Sequence, residues 1–302
     1  MAYRGRIAPS PTGYLHLGHA QTFWTAHEQC REQQGVMVLR NENLDPERSR
    51  AEYWQAAIED LRWLGIDWQE GPDIGGPHAP YAQSERRAWY LAAWQQLREG
   101  GWIYPCSCSR RDLARVAQAP HEGVGGDEEP IYPGTCRPET SRPRAGRSRS
   151  DQEMALTAQK PQGYNWRFAV PEGEVVEFSD GYFGQQRLVA GQDFGDFLVW
   201  RRDDVPAYQL AVVVDDHAMQ ITAVVRGRDL LVSTARQILL DRALGYAEPA
   251  WFHCPLVVDE QGQRLAKRHD ALAVRTLRAQ GLDPKTVLQL GHSVESRKPL
   301  HS

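Results

Sequence analysis

A chain of 302 residues with 41% hydrophobic and 25% charged residues can bury a sizeable core as one large or two modest domains. No apolar run approaches the ~20 residues of a bilayer-crossing helix and the N-terminus has no signal-peptide pattern, so a cytoplasmic protein without a membrane partner is expected. The net charge of −4 excludes a globally basic nucleic-acid binder and leaves any such affinity to a local strip.

Arg4 to Ala8 reads as a strand. It breaks at the turn Pro9-Ser10-Pro11-Thr12-Gly13 and leads through His16-Leu17-Gly18-His19 into a helix that starts near Gly18. A helix start offers unpaired N–H groups and positive dipole character, which suits phosphate. His16 and His19 add side-chain donors, and Gly18 has no side chain to hold a nucleotide off. Val36 to Arg40 reads as a buried strand. Asp45 and Pro46 then form an N-cap and first-turn pair for a helix carrying Trp54, Ile58 and Leu61 on one face. A further helix is expected over residues 84 to 98, with Trp89, Ala93 and Leu97 inward and Gly100-Gly101 at its end.

From Trp102 to about Lys160 the periodicity gives way to Cys, Gly, Pro, Ser and charge, which marks an insertion. Strand-like runs return at Tyr164–Val170, Glu174–Phe178, Phe197–Arg201 and Gln220–Val225. Ser233 is the expected cap of a helix that stops at Gly245, and the last forty or so residues read as helical and short of core. Alternating strands and helices imply an open α/β fold, a mostly parallel sheet with ligands at the carboxyl ends of its strands.

Positive charge is almost wholly arginine, with lysine only at Lys160, Lys267, Lys285 and Lys298. One of these lysines lies in Arg264-Leu265-Ala266-Lys267-Arg268, where a mobile ammonium can meet a triphosphate whose charge grows during displacement at the α-phosphorus. Arg137, Arg142, Arg144, Arg147 and Arg149 form either an RNA-facing strip or a solvated linker. Of five cysteines, Cys30 and Cys254 read as buried thiols, while Cys106, Cys108 and Cys136 cluster in the insertion and suggest metal. Three thiolates leave a tetrahedral zinc one ligand short, and His121 is the generic candidate for the fourth.

The segment Arg6 to Gly13 with HLGH resembles the first signature of class I aminoacyl-tRNA synthetases of the glutamyl branch, and RLAKR resembles the second. Tyr208 to His217 and Val225 to Leu230 are similar to the same branch, so the likeness runs over roughly residues 4 to 270. It implies a Rossmann-type parallel sheet with an inserted zinc-binding subdomain, here followed by a short helical C-terminal part. The halves of the sheet domain would be 1–101 and 161–245, the insertion and linker 102–160, and the second signature with the helical part 246–302.

The resemblance also implies roles for residues. His16, Gly18, His19 and Lys267 would be catalytic and, with Arg268, would bind ATP, which magnesium accompanies. Arg6, Ile7, Ala8, Pro9, Ser10, Glu42, Tyr208 and Arg226 would line a site for L-glutamate. Glu42 would hold the ammonium, Arg6 and Arg226 the carboxylates, and Tyr208 would donate its hydroxyl. Taken singly, Arg6 is equally a surface strand cation, Glu42 a loop charge and Tyr208 a core aromatic. Cys106, Cys108, Tyr132 and Cys136 match the branch's four ligands for one structural zinc. Two departures stand out: Asn43 replaces a usual acid, and Arg264 and Ala266 replace the Lys and Ser of a KLSK-type loop.

Roughly 35 residues follow Lys267, too few for an anticodon-binding domain. That plan is similar to the members of the branch that move glutamate to queuosine at the wobble position of tRNA(Asp), and a monomer is expected. The alternatives are charging of tRNA(Glu), another nucleotidyl-transferring enzyme of the same superfamily, and a non-catalytic zinc-bearing RNA-binding module.

Overall fold

The computed structural model of the protein describes residues 2–109, 131–138, 159–257 and 272–290. Strand β1 (Arg4–Ile7) pairs in parallel with β2 (Val36–Leu39), and α1 (Leu17–Glu32) connects them. Thr222, just before β8 (Ala223–Gly227), closes onto β1: its N–H donates to Arg4 O at 2.9 Å and its Oγ1 accepts Arg4 N–H at 2.8 Å. Beyond β8 the sheet continues in parallel to β9 (Ala250–Cys254) and β5 (Val175–Asp180), then antiparallel to β6 (Gly184–Val189). A parallel sheet is therefore present, with one antiparallel edge.

A second sheet is wholly antiparallel, in the order β3 (Ile103–Cys106), β4 (Asn165–Phe168), β7 (Phe197–Trp200). The runs at 164–170 and 197–201 thus leave the parallel sheet in which they were expected. Their partner β3 escapes a reading by alternation because all four of its residues are buried, and Pro105 reads as a breaker although an edge strand tolerates it. The insertion and the segment after it consequently share one sheet.

Three helix details also differ from expectation. Helix α2 (Ala51–Trp63) begins after an extended Arg50, because Asp45 Oδ1 accepts the N–H groups of Glu47 and Arg48 at 3.1 and 3.3 Å and heads a separate turn. Helix α3 (Arg87–Glu99) follows a 3₁₀ turn at Gln83–Glu85 and buries Tyr90, Ala93, Trp94 and Leu97. Trp89 is one position off that stripe and 42% exposed, with the Arg86 guanidinium 4.7 Å above its ring. Helix α5 (Leu231–Leu244) starts two residues before Ser233, which is buried in its first turn and accepts from Gln209 Nε2 at 3.0 Å. Gly245 ends it at φ 72°, a left-handed conformation that glycine adopts without Cβ strain.

One hydrophobic core lies between the antiparallel sheet, α3, α5 and α4 (Tyr208–Ala218), around Trp94, Trp166, Trp200 and Phe168. A second joins α1, α2 and β2 to the short helices α6 (Val274–Ala279) and α7 (Pro284–Leu290) through Leu61, Val274, Leu277 and Val287. Among the described residues no helix is long and apolar enough to cross a membrane.

Candidate active site

The carboxyl ends of β1, β2, β8 and β9 deliver Arg6, Arg40, Glu42, Arg226 and His253 to one place, where an open parallel sheet collects ligands. Helix α4 completes it from the side. Its apolar run Leu210–Val214 packs into the core and carries Asp215 and Asp216 into the interior near the helix C-terminus, where the dipole is unfavourable to acids. Cations answer them. Arg40, with no exposed surface, bonds Asp216 Oδ1 at 2.5 Å and Glu42 Oε1 at 3.0 Å, and its Nε is 3.9 Å from Asp215. Arg86 donates to Asp215 at 2.6 Å, as do Gln83 at 2.8 Å and Tyr90 at 3.0 Å. Burial outweighed by the three carboxylates holds Arg40 well above its ordinary pKa, whereas burial pushes Glu42 up against the pull of Arg40 and Arg6.

Arg6 is buried and donates from Nη1 to Val225 O at 3.0 Å. Its Nε lies 3.5 Å from Asp216 and has no hydrogen-bond partner among the described residues. Arg226 is equally buried: Nε donates to His253 Nε2 at 3.1 Å, Nη1 to Gln237 at 2.8 Å and Nη2 to Thr234 at 2.6 Å, over the ring of Trp251. Tyr208 is 38% exposed, and desolvation at its hydroxyl raises its pKa against the pull of the nearby Arg226 charge. Ile7 and Pro9 are buried, Ala8 half-buried and Ser10 exposed, and Pro9 O accepts the Glu42 N–H at 3.2 Å. Asn43 faces Ser84, donating to its Oγ and accepting its N–H, both at 2.9 Å.

At the start of α1 the rings of His16 and His19 stack with centroids 3.7 Å apart. His19 Nδ1 accepts the His16 N–H at 3.3 Å, so the neutral ring carries its proton on Nε2, pointed away from the backbone. A Cβ at Gly18 would meet the His16 ring at 3.3 Å, so glycine leaves room for the stacked pair as well as for a ligand. Lys267 and Arg268, with Arg264 and Ala266, lie outside the described residues, as do His121, Arg142, Arg144, Arg147 and Arg149. Arg137 does not form an open strip: it pairs with Asp196 at 3.3 Å and donates to Val170 O at 2.8 Å.

The sulfur atoms of Cys106, Cys108 and Cys136 lie within 4.8 Å of one another and all three residues are buried. The Tyr132 hydroxyl is 3.4 Å from Cys106 Sγ and 3.5 Å from Cys108 Sγ, and it accepts the Cys136 N–H at 2.9 Å. The four expected donor atoms thus converge, and the Arg167 guanidinium sits 4.0 Å over the Tyr132 ring. Cys30 and Cys254 are buried free thiols.

A parallel sheet that gathers arginines and acids at its strand ends, beside a helix opening on HxGH, defines a class I aminoacyl-tRNA synthetase catalytic core. The family described as "tRNA synthetases class I (E and Q), catalytic domain" matches residues 2–296. The chain belongs to that family and is a ligase-type enzyme. A glutamyl-Q tRNA(Asp) synthetase of Symbiobacterium thermophilum is 49% identical over 288 residues, covering 95% of this chain and 84% of the relative. A glutamate–tRNA ligase of Nitrosococcus oceani is 40% identical over 298 residues, 97% of this chain and 60% of the relative. The crystal structure of a glutamate tRNA ligase from Elizabethkingia meningosepticum with its amino acid superposes with a TM-score of 0.74 at 28% identity, covering 93% of this chain and 54% of that one.

Several residues that build the site carry no role in the sequence reading: Arg40, Arg86, Asp215, Asp216, Gln237, Asp180 and His253. For the two aspartates a signal exists. Two acids directly after five apolar residues on one helix must be buried with cations.

Proposed function

We propose that this enzyme activates L-glutamate with ATP as glutamyl-adenylate and passes the glutamate to queuosine at the wobble position of tRNA(Asp). The observation that carries this reading is the 49% identity over 84% of a relative bearing that name, against 40% over 60% of a glutamate–tRNA ligase. In the first step an oxygen of the glutamate α-carboxylate attacks the α-phosphorus of ATP and the bond to pyrophosphate breaks. In the second a queuosine hydroxyl attacks the activated carbonyl and AMP leaves.

Arg6 and Arg226 are the guanidiniums for the substrate carboxylates, with Tyr208 at hand to donate its hydroxyl. Glu42, held by its hydrogen bond from Arg40, takes the ammonium. His16 and His19 offer donors to the departing phosphates, and Lys267 and Arg268 supply cationic charge to the same group. Holding two anions in line is the main task, and such positioning can contribute ~7–11 kcal/mol. Magnesium accompanies the nucleotide.

The thiol cluster suits one zinc, with Cys106, Cys108, Cys136 and Tyr132 as its four donors. When bound it clamps the end of β3 to the 131–138 segment and takes no part in the reaction. Transfer of labelled glutamate to queuosine-bearing tRNA(Asp), compared with tRNA(Glu), tests the acceptor. Charging of tRNA(Glu) alone would move the function to the second reading, which the 40% likeness supports. A Lys267→Ala chain is expected to lose glutamate-dependent pyrophosphate exchange, and wild-type exchange in it would remove the catalytic assignment.

A further inference from the structure

One of the three acceptors that hold Arg226 is a histidine whose proton is dictated from behind. Asp180 Oδ2 lies 2.6 Å from His253 Nδ1 and accepts the His253 backbone N–H at 3.0 Å, while Asp180 Oδ1 accepts the N–H groups of Tyr182 and Phe183 at 3.0 and 2.8 Å. Both side chains are wholly buried. A carboxylate with four donors aimed at it has no proton to give, so Nδ1 carries the imidazole proton. On the far edge of the ring Nε2 meets Arg226 Nε, which is only ever a donor. Nε2 is therefore a lone pair, and a proton there would set two N–H groups against each other.

The other two acceptors are held just as firmly. Gln237 takes Nη1 on its Oε1 and gives its amide N–H to Gln209 Oε1 at 3.0 Å; Gln209 in turn donates to Ser233 at 3.0 Å, which fixes both amides in one orientation. Thr234 Oγ1 takes Nη2 and also touches His253 Nε2 at 3.0 Å. Three of the five N–H groups of a guanidinium are spent on scaffolding, so two remain for Tyr208 and a ligand carboxylate.

We propose that His253, locked as its Nδ1–H tautomer by Asp180, is a positioning residue that sets the plane of Arg226 for the substrate carboxylate and so governs selection of the amino acid. The proposal rests on the reading of Arg226 as a glutamate-site arginine. Burial lowers the His253 pKa against the opposing pull of Asp180, in keeping with a neutral ring.

The test is glutamate-dependent ATP–pyrophosphate exchange by the full chain carrying His253→Phe or His253→Gln, each alone and with Arg226→Lys. Loss of a hydrogen bond to a charged group should raise the glutamate KM of His253→Phe roughly ten- to a hundredfold, with the ATP KM within about twofold. His253→Gln, which restores an acceptor, should recover part of this. In the Arg226→Lys background His253→Phe should add almost nothing, because it acts through Arg226. An unchanged glutamate KM in His253→Phe, or independent multiplication of the two effects, overturns the proposal. Nitrogen-15 spectra of the wild-type histidines give a readout that needs no variant to fold: the His253 ring, as distinct from the buried His27 that faces Asp67 through Nε2, must be protonated at Nδ1 alone, and an Nε2–H or imidazolium form of His253 overturns the proposal too. If wild-type enzyme shows no glutamate-dependent exchange, the glutamate reading fails while the tautomer result still stands or falls by itself.

Discussion

Replacing Arg40 by methionine tests how the pocket is held together. The change keeps the length and the apolar stem but removes the single cation that binds both Asp216 and Glu42 and lies 3.9 Å from Asp215. Asp215 retains Gln83, Arg86 and Tyr90, and Asp216 retains Arg6 at 3.5 Å, so Glu42 bears most of the loss. Breaking a buried pair by deleting one partner costs about 3–5 kcal/mol, roughly a fifth or more of an ordinary domain's stability. At ~2 °C per kcal/mol for a chain of this size, the melting temperature should fall by roughly 6–10 °C.

The loss should depend on pH in a defined direction. Without Arg40 the folded-state pKa of Glu42 rises further above its unfolded value, so protonation favours the folded variant. The gap to wild type is then largest above the folded pKa and narrows as pH falls through it. Urea denaturation at several pH values and the glutamate KM from pyrophosphate exchange are the assays. A loss below about 1 kcal/mol at neutral pH, with an unchanged glutamate KM, would refute the account of Arg40 as the hub of the site.

Asp60 on α2 is wholly buried, neither of its oxygens has a hydrogen-bond partner among the described residues, and burial raises its pKa from 3.8 to about 6 against the pull of Arg275 and Arg278. Below pH ~4 both states are protonated and the site costs nothing; above pH ~6 the folded state carries the full cost of the ion. Asp60→Asn should therefore stabilise the protein by about 1–3 kcal/mol at neutral pH, with the gain vanishing toward pH 4, and a flat pH dependence would count against it. Elemental analysis should find about one zinc per chain, and Cys136→Ser should lose it together with stability; a metal-free folded wild-type chain would retire the four-donor assignment. Asn43→Asp, which restores the acid usual in the branch, should change stability by less than about 0.5 kcal/mol, since the Ser84 hydroxyl can turn to donate to the new carboxylate. A larger loss in thermal melts would mean that the amide anchors the 83–85 turn.

The elements legible in the sequence are those with a local signal. Strand β1, the break after it and the helix opening at HxGH are written in consecutive residues, as is the stop at Gly245. The Cys106, Cys108, Tyr132 and Cys136 set is legible through a motif, and the structure brings the four together. Elsewhere the deciding facts are distant. The Asp180 and His253 pair spans 73 residues with no pattern joining them. Strand β6 hides behind Gly184, Gln185 and Gln186, and β9 is five residues long and follows Pro249 directly. Ser233 resembles a cap because hydroxyls favour that place, but here it serves the amide chain behind Arg226. Counting the α3 stripe from Trp89 puts the buried face about one residue off.

The hydrogen bond from Arg6 to Val225 joins residues 219 apart, and Arg40 finds Asp216 only after 176 more. A ribosome emitting this chain exposes Arg6 and Arg40 long before Asp216, which faces both, has been synthesised, and until then Arg40 has Glu42 two residues on as its early partner. The nascent first half is thus a half-sheet with incompletely met cations, open to anionic company in the crowded cell and slow to settle. Nucleic acid or nucleotide encountered at that stage would find the site unfinished, and the pocket can select a substrate only once α4 has swung its two acids into place.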